Sequence, residues 1–192
     1  MSKIALTPNA SGTGTLTIAA PNTSTDRTIN LPDETGSIIT TGSSGQVIPA
    51  AALPAGSVLQ VVNTATSSSV ATTSSSYTAA TGLTASITPS STLNKILVTF
   101  SINIFITGAA GTSKINIYRG GSSIKSFEYT AYAGTSTLMS YPTCIFLDSP
   151  SSTSSLTYQI YFNSNTGTNI IYNYTDANGT PTSTITLMEI AA

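Results

Sequence analysis

Four carboxylates in the last two thirds of the chain, Glu128, Asp148, Asp176 and Glu189, are the side chains whose type could carry out a reaction. That reaction would be glycoside hydrolysis, which needs only two carboxyl groups, held about 5 Å apart for retention and wider for inversion. Asp148 precedes Ser149-Pro150 at a strand end and Asp176 precedes a turn, both ordinary places for a turn-capping carboxylate. Glu189 alternates with Leu187 near the C-terminus and reads as a strand residue on a solvated face or at a subunit seam. Glu128 lies beside an aromatic-rich stretch that reads as a loop, and it is the one to suspect. The rest of the catalytic inventory is thin. No histidine is present, which removes the common proton shuttle, zinc ligand and triad base together. Six Lys and Arg against dozens of Ser make a serine–lysine pair a matter of chance. Gly12-Thr13-Gly14 and Gly42 to Gly45 lack the lysine and the strand-then-helix setting of a phosphate loop and read as turns. No catalytic residue, metal site or cofactor is expected. Cys144 has no intrachain partner, and its neighbours Ile145 and Phe146 mark it as a small buried thiol.

The tyrosines say more than the carboxylates. All nine follow residue 76, and Tyr129, Tyr132, Tyr141, Tyr172 and Tyr174 fall near predicted loops or strand ends. A tyrosine there offers a flat apolar face and a hydroxyl at low entropy cost, which suits recognition of sugars or protein loops. Tyr129 and Tyr132, around Thr130-Ala131, form the strongest predicted loop pair. Together with Tyr172, Tyr174, Asn165 and Asn178 they are the expected contact residues.

These side chains need a scaffold, and composition narrows what it is. Only 7% of residues are charged, the net charge is -1, and Ser and Thr make up about a third of the chain. With its charges spread singly, the chain has no patch to neutralise phosphates, so neither nucleic acid nor a membrane surface is an expected partner. The N-terminus lacks a secretory signal, and no apolar run reaches the ~18 residues of a membrane span. Up to residue 54 the apolar residues come as close pairs, Leu16 and Ile18, Ile29 and Leu31, Ile38 and Ile39, which read as brief strands between turns. Such strands bury too little alone and imply association with further copies. A Gly-, Pro- and Ala-rich connector from Gly42 to Gly56 places a boundary near Ala55, giving an N-terminal segment 1–54 and a second domain 55–192.

In that domain Ile96 to Ile106 alternates as one long strand with an apolar face, and Ile115, Ile117, Gly120-Gly121, Ile124 and Phe127 read as a hairpin. Leu138 to Leu147, Leu156 to Phe162, Ile170 to Tyr174 and Ile185 to Ile190 continue the pattern, with a sharp turn at Asn178-Gly179. The Ser/Thr run Thr64 to Ser76 reads as a polar strand with a loop. About eight strands and no helical period predict an all-β fold, a jelly-roll-like two-sheet β-sandwich after a short extended N-terminal segment; another Greek-key order is the near alternative.

The stretch Gly14 to Gly36 resembles a segment common in tail-fibre and other minor structural proteins of tailed bacteriophages, especially marine and cyanobacterial phages. The likeness is carried by Leu16, Ile18, Pro21, Arg27, Ile29, Leu31, Pro32, Asp33 and Gly36. Further islands resemble the C-terminal domains that follow such segments: Pro54 to Asn63, Asn94 to Val98, Tyr118 to Gly121, Phe146 to Pro150 and Ser183 to Ala191. The resemblance implies a homotrimeric virion fibre, made in the host cytoplasm and mounted on the phage tail or capsid. Residues 1–54 would form an attachment or shaft segment that engages other virion proteins, and a β head would adhere to a host cell-surface glycan or protein. It supplies no contact residues. A capsid decoration protein and a polysaccharide depolymerase are the competing expectations.

Overall fold

The computed structural model describes residues 11–14, 24–26, 28, 53–108, 110–166, 168–177 and 179–192. The chain divides into two compact units, Met1–Gln46 and Val47–Ala192. The short strands expected about Leu16, Ile29 and Ile38, and most of the Gly42–Gly56 connector, lie outside the described residues. The second unit holds all the described strands.

Among its described residues run twelve strands and no helix. They are β1 (Val58–Thr66), β2 (Val70–Thr72), β3 (Thr78–Ile87), β4 (Lys95–Ser101), β5 (Ile104–Thr107) and β6 (Gly111–Arg119). The second half holds β7 (Ser122–Ala133), β8 (Leu138–Ser140), β9 (Thr143–Asp148), β10 (Leu156–Ser164), β11 (Asn169–Tyr172) and β12 (Ser183–Ile190). All pairings are antiparallel, in sheets of order β1-β12-β4-β9, β3-β10-β6-β7 and β2-β11-β5-β8. The first and third orders match position by position: β1 runs on into β2, β4 into β5, β8 into β9 and β11 into β12. They are two halves of one four-stranded layer bent at a common line, and β3-β10-β6-β7 is the layer opposite. Twelve strands are therefore eight passes of the chain.

The bend corrects two expectations. The apolar run from Ile96 to Ile106 is broken at Ile102-Asn103, and Leu138 to Leu147 is broken at Tyr141-Pro142. Side chains take over from the ladder there. Asn103 is wholly enclosed: its N–H donates to Ser183 Oγ at 2.9 Å, and its Oδ1 accepts from the Tyr174 N–H at 3.2 Å. Asn173 adopts φ +49°, a conformation Asn tolerates better than most residues. Its Nδ2 donates to the carbonyls of Thr66 and Ser68 at 2.9 and 3.2 Å, and its Oδ1 accepts from the Ser183 hydroxyl at 2.6 Å. Ile102 N–H donates to the Pro142 carbonyl at 3.1 Å, so the proline that stops one strand supplies the acceptor its neighbour needs.

Between the layers lies one apolar cluster. Ile96, Val98 and Phe100 of β4, Ile185 and Leu187 of β12, Leu83 and Ile87 of β3, Ile115 and Ile117 of β6, and Tyr158, Ile160 and Phe162 of β10 are buried. Period-two alternation produces this, and each such side chain contributes roughly 1.5–3 kcal/mol when fully buried. Cys144 sits half-buried on the same inner face of β9, packed against the core. Gly120 and Gly121, at φ +55° and +83°, form the two-residue turn of the β6–β7 hairpin, whose strands face each other at Arg119 and Ser122.

Replacing Asn173 by Ala removes two donors from buried carbonyls and the acceptor of Ser183, and places a Cβ residue without a local hydrogen bond at positive φ. Urea unfolding followed by tyrosine fluorescence is expected to show a loss of about 3 kcal/mol, with Asn173→Gly recovering about 1 kcal/mol of it.

Candidate functional site

The acidic side chains sort into two inside and two outside. Asp148 and Glu189 both point inward from the first layer, on β9 and β12, and both flank Ile96 of β4 in register. Asp148 Oδ2 accepts from Arg119 Nη1 at 2.5 Å and from the Tyr158 hydroxyl at 2.6 Å. Both donors belong to the opposite layer, so this carboxylate joins β9 to β6 and β10. Burial, followed by the bond to Asp148, raises the Tyr158 pKa.

Glu189 is 1% exposed, which overturns its reading as a residue of a solvated face or subunit seam. Its Oε1 accepts from the Ser90 N–H at 2.6 Å, the Ser90 hydroxyl at 2.8 Å and Asn94 Nδ2 at 2.6 Å, and its Oε2 accepts from Gln60 Nε2 at 2.6 Å. Burial alone would raise its pKa; these donors outweigh burial and hold the carboxyl below the usual range. Glu189 thereby ties the β3–β4 connection down across the end of the sandwich.

Glu128 is exposed, forms an ion pair with Lys114 and accepts from the Ser126 hydroxyl at 3.0 Å. Lys114 first, then Ser126, hold its pKa below the ordinary value. A general acid for glycoside cleavage would require the opposite shift. Asp176 is exposed on a tight turn in which Asp176 and Gly179 exchange backbone hydrogen bonds of 3.2 and 3.3 Å.

The expected contact residues do not form one surface. Tyr129 and Tyr132 lie within strand β7 rather than in a loop, the backbone being bulged between Phe127 and Ala131, where four steps of β7 face two of β6. The side chain of Tyr129 lies outside the described part. Tyr132 is 61% exposed. Asn165, also exposed, donates its N–H to the Thr112 carbonyl at 3.0 Å, and Tyr132 faces the same Thr112 from β7. Tyr172 is corrected outright: it is 0% exposed, because β11 turns Ile170 and Tyr172 into the core. Its hydroxyl is surrounded by Ser183, Thr66 and Asn173, and burial pushes its pKa up to about 12. Asn178 lies outside the described residues.

Three tyrosines with no expected role pack on the outer face of the second layer. Tyr118 and Tyr161 have ring centroids 4.0 Å apart, and Tyr77 sits edge-on to Tyr118 at 6.5 Å with its hydroxyl 3.0 Å from Ser126 Oγ. They fasten the segment before β3 across that face.

Tyr174 is where the expectation and a concavity meet. Its ring stacks on Phe105 at 4.2 Å and 15°, which fixes its orientation. It lines a cleft of about 380 Å³ together with Met139 and Tyr141 from the β8–β9 corner and Asp176, Gly179, Thr180 and Pro181 from the β11–β12 connection. Tyr141 is 56% exposed and presents its ring. The sequence places Tyr141 at a strand end and Asp176 before a turn, and nothing local to either joins residues 35 positions apart. The bend line does so, because β8–β9 and β11–β12 break at the same level.

No family model matches the chain, and no curated protein sequence matches it. Among solved structures, one described as the structure of infectious bursal disease virus Gx strain is similar at 9% identity and a TM-score of 0.35, over 69% of this chain and 37% of that chain.

The Glu189 cage sets a pH dependence. Its folded pKa lies below the unfolded one, so the stability it confers is present above the ordinary glutamate range and is lost as pH falls through the folded pKa. Glu189→Gln, facing four donors with a single acceptor oxygen, is expected to cost about 2 kcal/mol at pH 7 and to flatten the loss of stability as pH falls below the ordinary glutamate range. Denaturant titrations at stepped pH measure both.

Proposed function

We propose that this chain is the subunit of a phage virion fibre: a homotrimer whose β head, of jelly-roll connectivity, adheres to the bacterial surface without catalysing a reaction. Strand order supports the jelly-roll reading. The chain crosses from layer to layer at every connection except the central β6–β7 hairpin, as a wrapped hairpin requires, the first pass lies beside the last, and the orders β1-β12-β4-β9 and β3-β10-β6-β7 interleave early and late strands.

The observation that carries self-assembly is a row on the outer face of the first layer. Val61, Met188, Leu97 and Leu147 stand opposite one another across all four strands. Beside them runs Asn63, Thr186, Thr99 and Ile145, followed by Ala65, Thr184, Ser101 and Thr143. None of these twelve side chains is ionisable, and Val61, Ile145 and Leu147 are about half or more exposed in the single chain. An apolar row bordered by hydroxyls on one side and by Ile190 and the exposed Lys95 on the other, with a single charge on the face, fits a second copy of itself. Adhesion is supported by the cleft at Tyr141 and Tyr174, which is concave, part aromatic and placed at the bend, away from the row. The proposed division follows: residues 1–54 engage other virion proteins, the apolar face joins copies, and the cleft meets the receptor.

Sedimentation of the full chain at micromolar concentration is expected to give a trimer. Ile145→Lys with Leu147→Lys is expected to yield monomer with unchanged circular dichroism. A well-folded monomer from the unmodified chain would overturn the assembly. Labelled protein is expected on bacterial cells and at the tail of the particle; binding to capsids alone would favour a decoration protein instead.

A further inference from the structure

We propose that Tyr132, Thr112 and Asn165 form a second ligand site, on the outer face of the second layer, that takes an uncharged sugar ring, an assignment that rests on the adhesive reading above. Ala131 and Ala133 of β7 are buried, so Tyr132 between them points outward, and it is 61% exposed. Ile115 and Ile117 of β6 likewise turn inward, which sends Thr112 to the same outer face, directly opposite Tyr132 in register. Asn165, exposed just past the end of β10, completes the group, its N–H donating to the Thr112 carbonyl at 3.0 Å. Thr112 is 7% exposed, and its hydroxyl has no hydrogen-bond partner among the described residues. An enclosed hydroxyl of that kind is uncommon in a folded chain. Set between two exposed polar side chains, it is placed to be met by a hydroxyl of a ligand or by a water that the ligand holds.

Position and chemistry both select the occupant. The chain enters the head at the opposite end, where the Gly56 N–H donates to the Ala191 carbonyl at 2.8 Å and Asp148 of β9 meets Arg119, the last residue of β6. From Arg119 back to Thr112 the strand covers about 23 Å at the usual rise per residue, so the group stands at the end remote from chain entry, free to meet a surface. Backbone bonds brace it: the Ala110 N–H donates to the Gly134 carbonyl at 2.8 Å and the Ser164 N–H to the Ser74 carbonyl at 2.9 Å, which leaves little ordering for a ligand to impose. Because β6 lies between β10 and β7, its backbone is already paired and no peptide strand can add here; recognition falls to side chains. An exposed phenol ring stacks on the C–H face of a pyranose, and a threonine hydroxyl and an asparagine amide exchange hydrogen bonds with sugar hydroxyls. None of the three side chains is charged at neutral pH, and Lys114, the next outward residue along β6, is ion-paired with Glu128, so the group carries no net charge to favour an anionic polymer. Weak single-site binding of this kind becomes useful when copies are joined, since linked sites raise avidity by about 10² to 10⁴.

The test is binding of the full chain to an array of immobilised neutral oligosaccharides built of hexose, deoxyhexose and N-acetylhexosamine, with uronate- and sialate-bearing ones beside them. At least one neutral sugar is expected to retain the protein, with Tyr132→Ala and Asn165→Ala each weakening retention about tenfold at an unchanged unfolding midpoint. Thr112→Val keeps the shape and removes the hydroxyl; it is expected to weaken retention severalfold while the unfolding midpoint holds or rises, whereas a hydroxyl needed only for the fold would lower the midpoint. Tyr141→Ala, in the cleft of the other layer, is expected to leave the retention that depends on Tyr132 in place. Retention of acidic sugars alone, retention indifferent to Tyr132→Ala and Asn165→Ala, retention abolished by Tyr141→Ala, or no neutral sugar retained would overturn the proposal. Binding to bacterial cells run in parallel separates the two readings. Cells held by the unmodified chain and by Tyr132→Ala alike leave adhesion standing and remove this site; failure of the unmodified chain to hold cells removes adhesion itself.

Discussion

The two inward carboxylates, Asp148 and Glu189, are the constraint from which much else follows. A chain with seven acidic and six basic residues has few charges to place, and two of the acids are enclosed at one end of the sandwich. A buried carboxylate is costly unless its oxygens are met by donors, and both are met: Asp148 by Arg119 and Tyr158, Glu189 by Gln60, Ser90 and Asn94. Arg119 and Tyr158 come from the opposite layer, Ser90 and Asn94 from the β3–β4 connection, and Gln60 from the neighbouring strand β1, so all but the last hold one part of the fold to another. Removing one partner would strand a charge, whereas an apolar replacement of the whole set could pack as well. These groups therefore specify how the layers are juxtaposed more than they add stability.

The opposite end is organised by amides and a hydroxyl in place of charge. Asn103, Asn173 and Ser183 satisfy backbone groups that the ladder abandons where the first layer bends. The bend then has a geometric consequence. Because adjacent strands break at one level, the connections after β8 and β11 leave the layer side by side, and Tyr141, Tyr174 and Asp176 come to line one cleft. Rigidity reaches that cleft through the same groups: the Tyr174 N–H is held by Asn103, and its ring by Phe105.

Period-two alternation made the strands legible, and the Gly120-Gly121 hairpin could be read from the turn chemistry alone. What alternation conceals is a bend. Ile102 and Ile104 are both buried, so the apolar face continues through Asn103 as though the strand did, and only an enclosed amide distinguishes a corner from a polar residue facing water. Tyr172 misled for a related reason. Tyrosine suits strand ends and cores alike, and its place was set by β11 sharing the inward phase of Ile170, a tertiary fact. Glu189 was the harder case, since nothing local to β12 announces that Gln60, Ser90 and Asn94 converge on it from 95 to 129 positions away. Tyr129 and Tyr132 sat beside real irregularity, but it took the form of a bulge inside a strand, a distinction composition does not carry.

Edges remain the structural problem of a sandwich so poor in charge. On one side the two layers close on each other: β1 and β3 approach so tightly that a Cβ on Gly82, at φ +79°, would lie 2.6 Å from Thr66 Oγ1. On the other side the edges are β7 and β9. β7 carries Lys125 and Glu128, exposed charges of the kind that discourage strand addition. β9 has no such guard, because Asp148, its one ionisable acid, is turned inward to hold Arg119, and its outward residues are Thr143, Ile145 and Leu147. The unguarded edge is thus contiguous with the apolar row on the same layer. A carboxylate that facing water would have protected β9 is committed to joining the layers, and protection of that edge passes from charge to whatever covers Ile145 and Leu147. Copies packed over this face, as proposed, would shield edge and row together, and such assembly would then follow from where the fold placed its few charges.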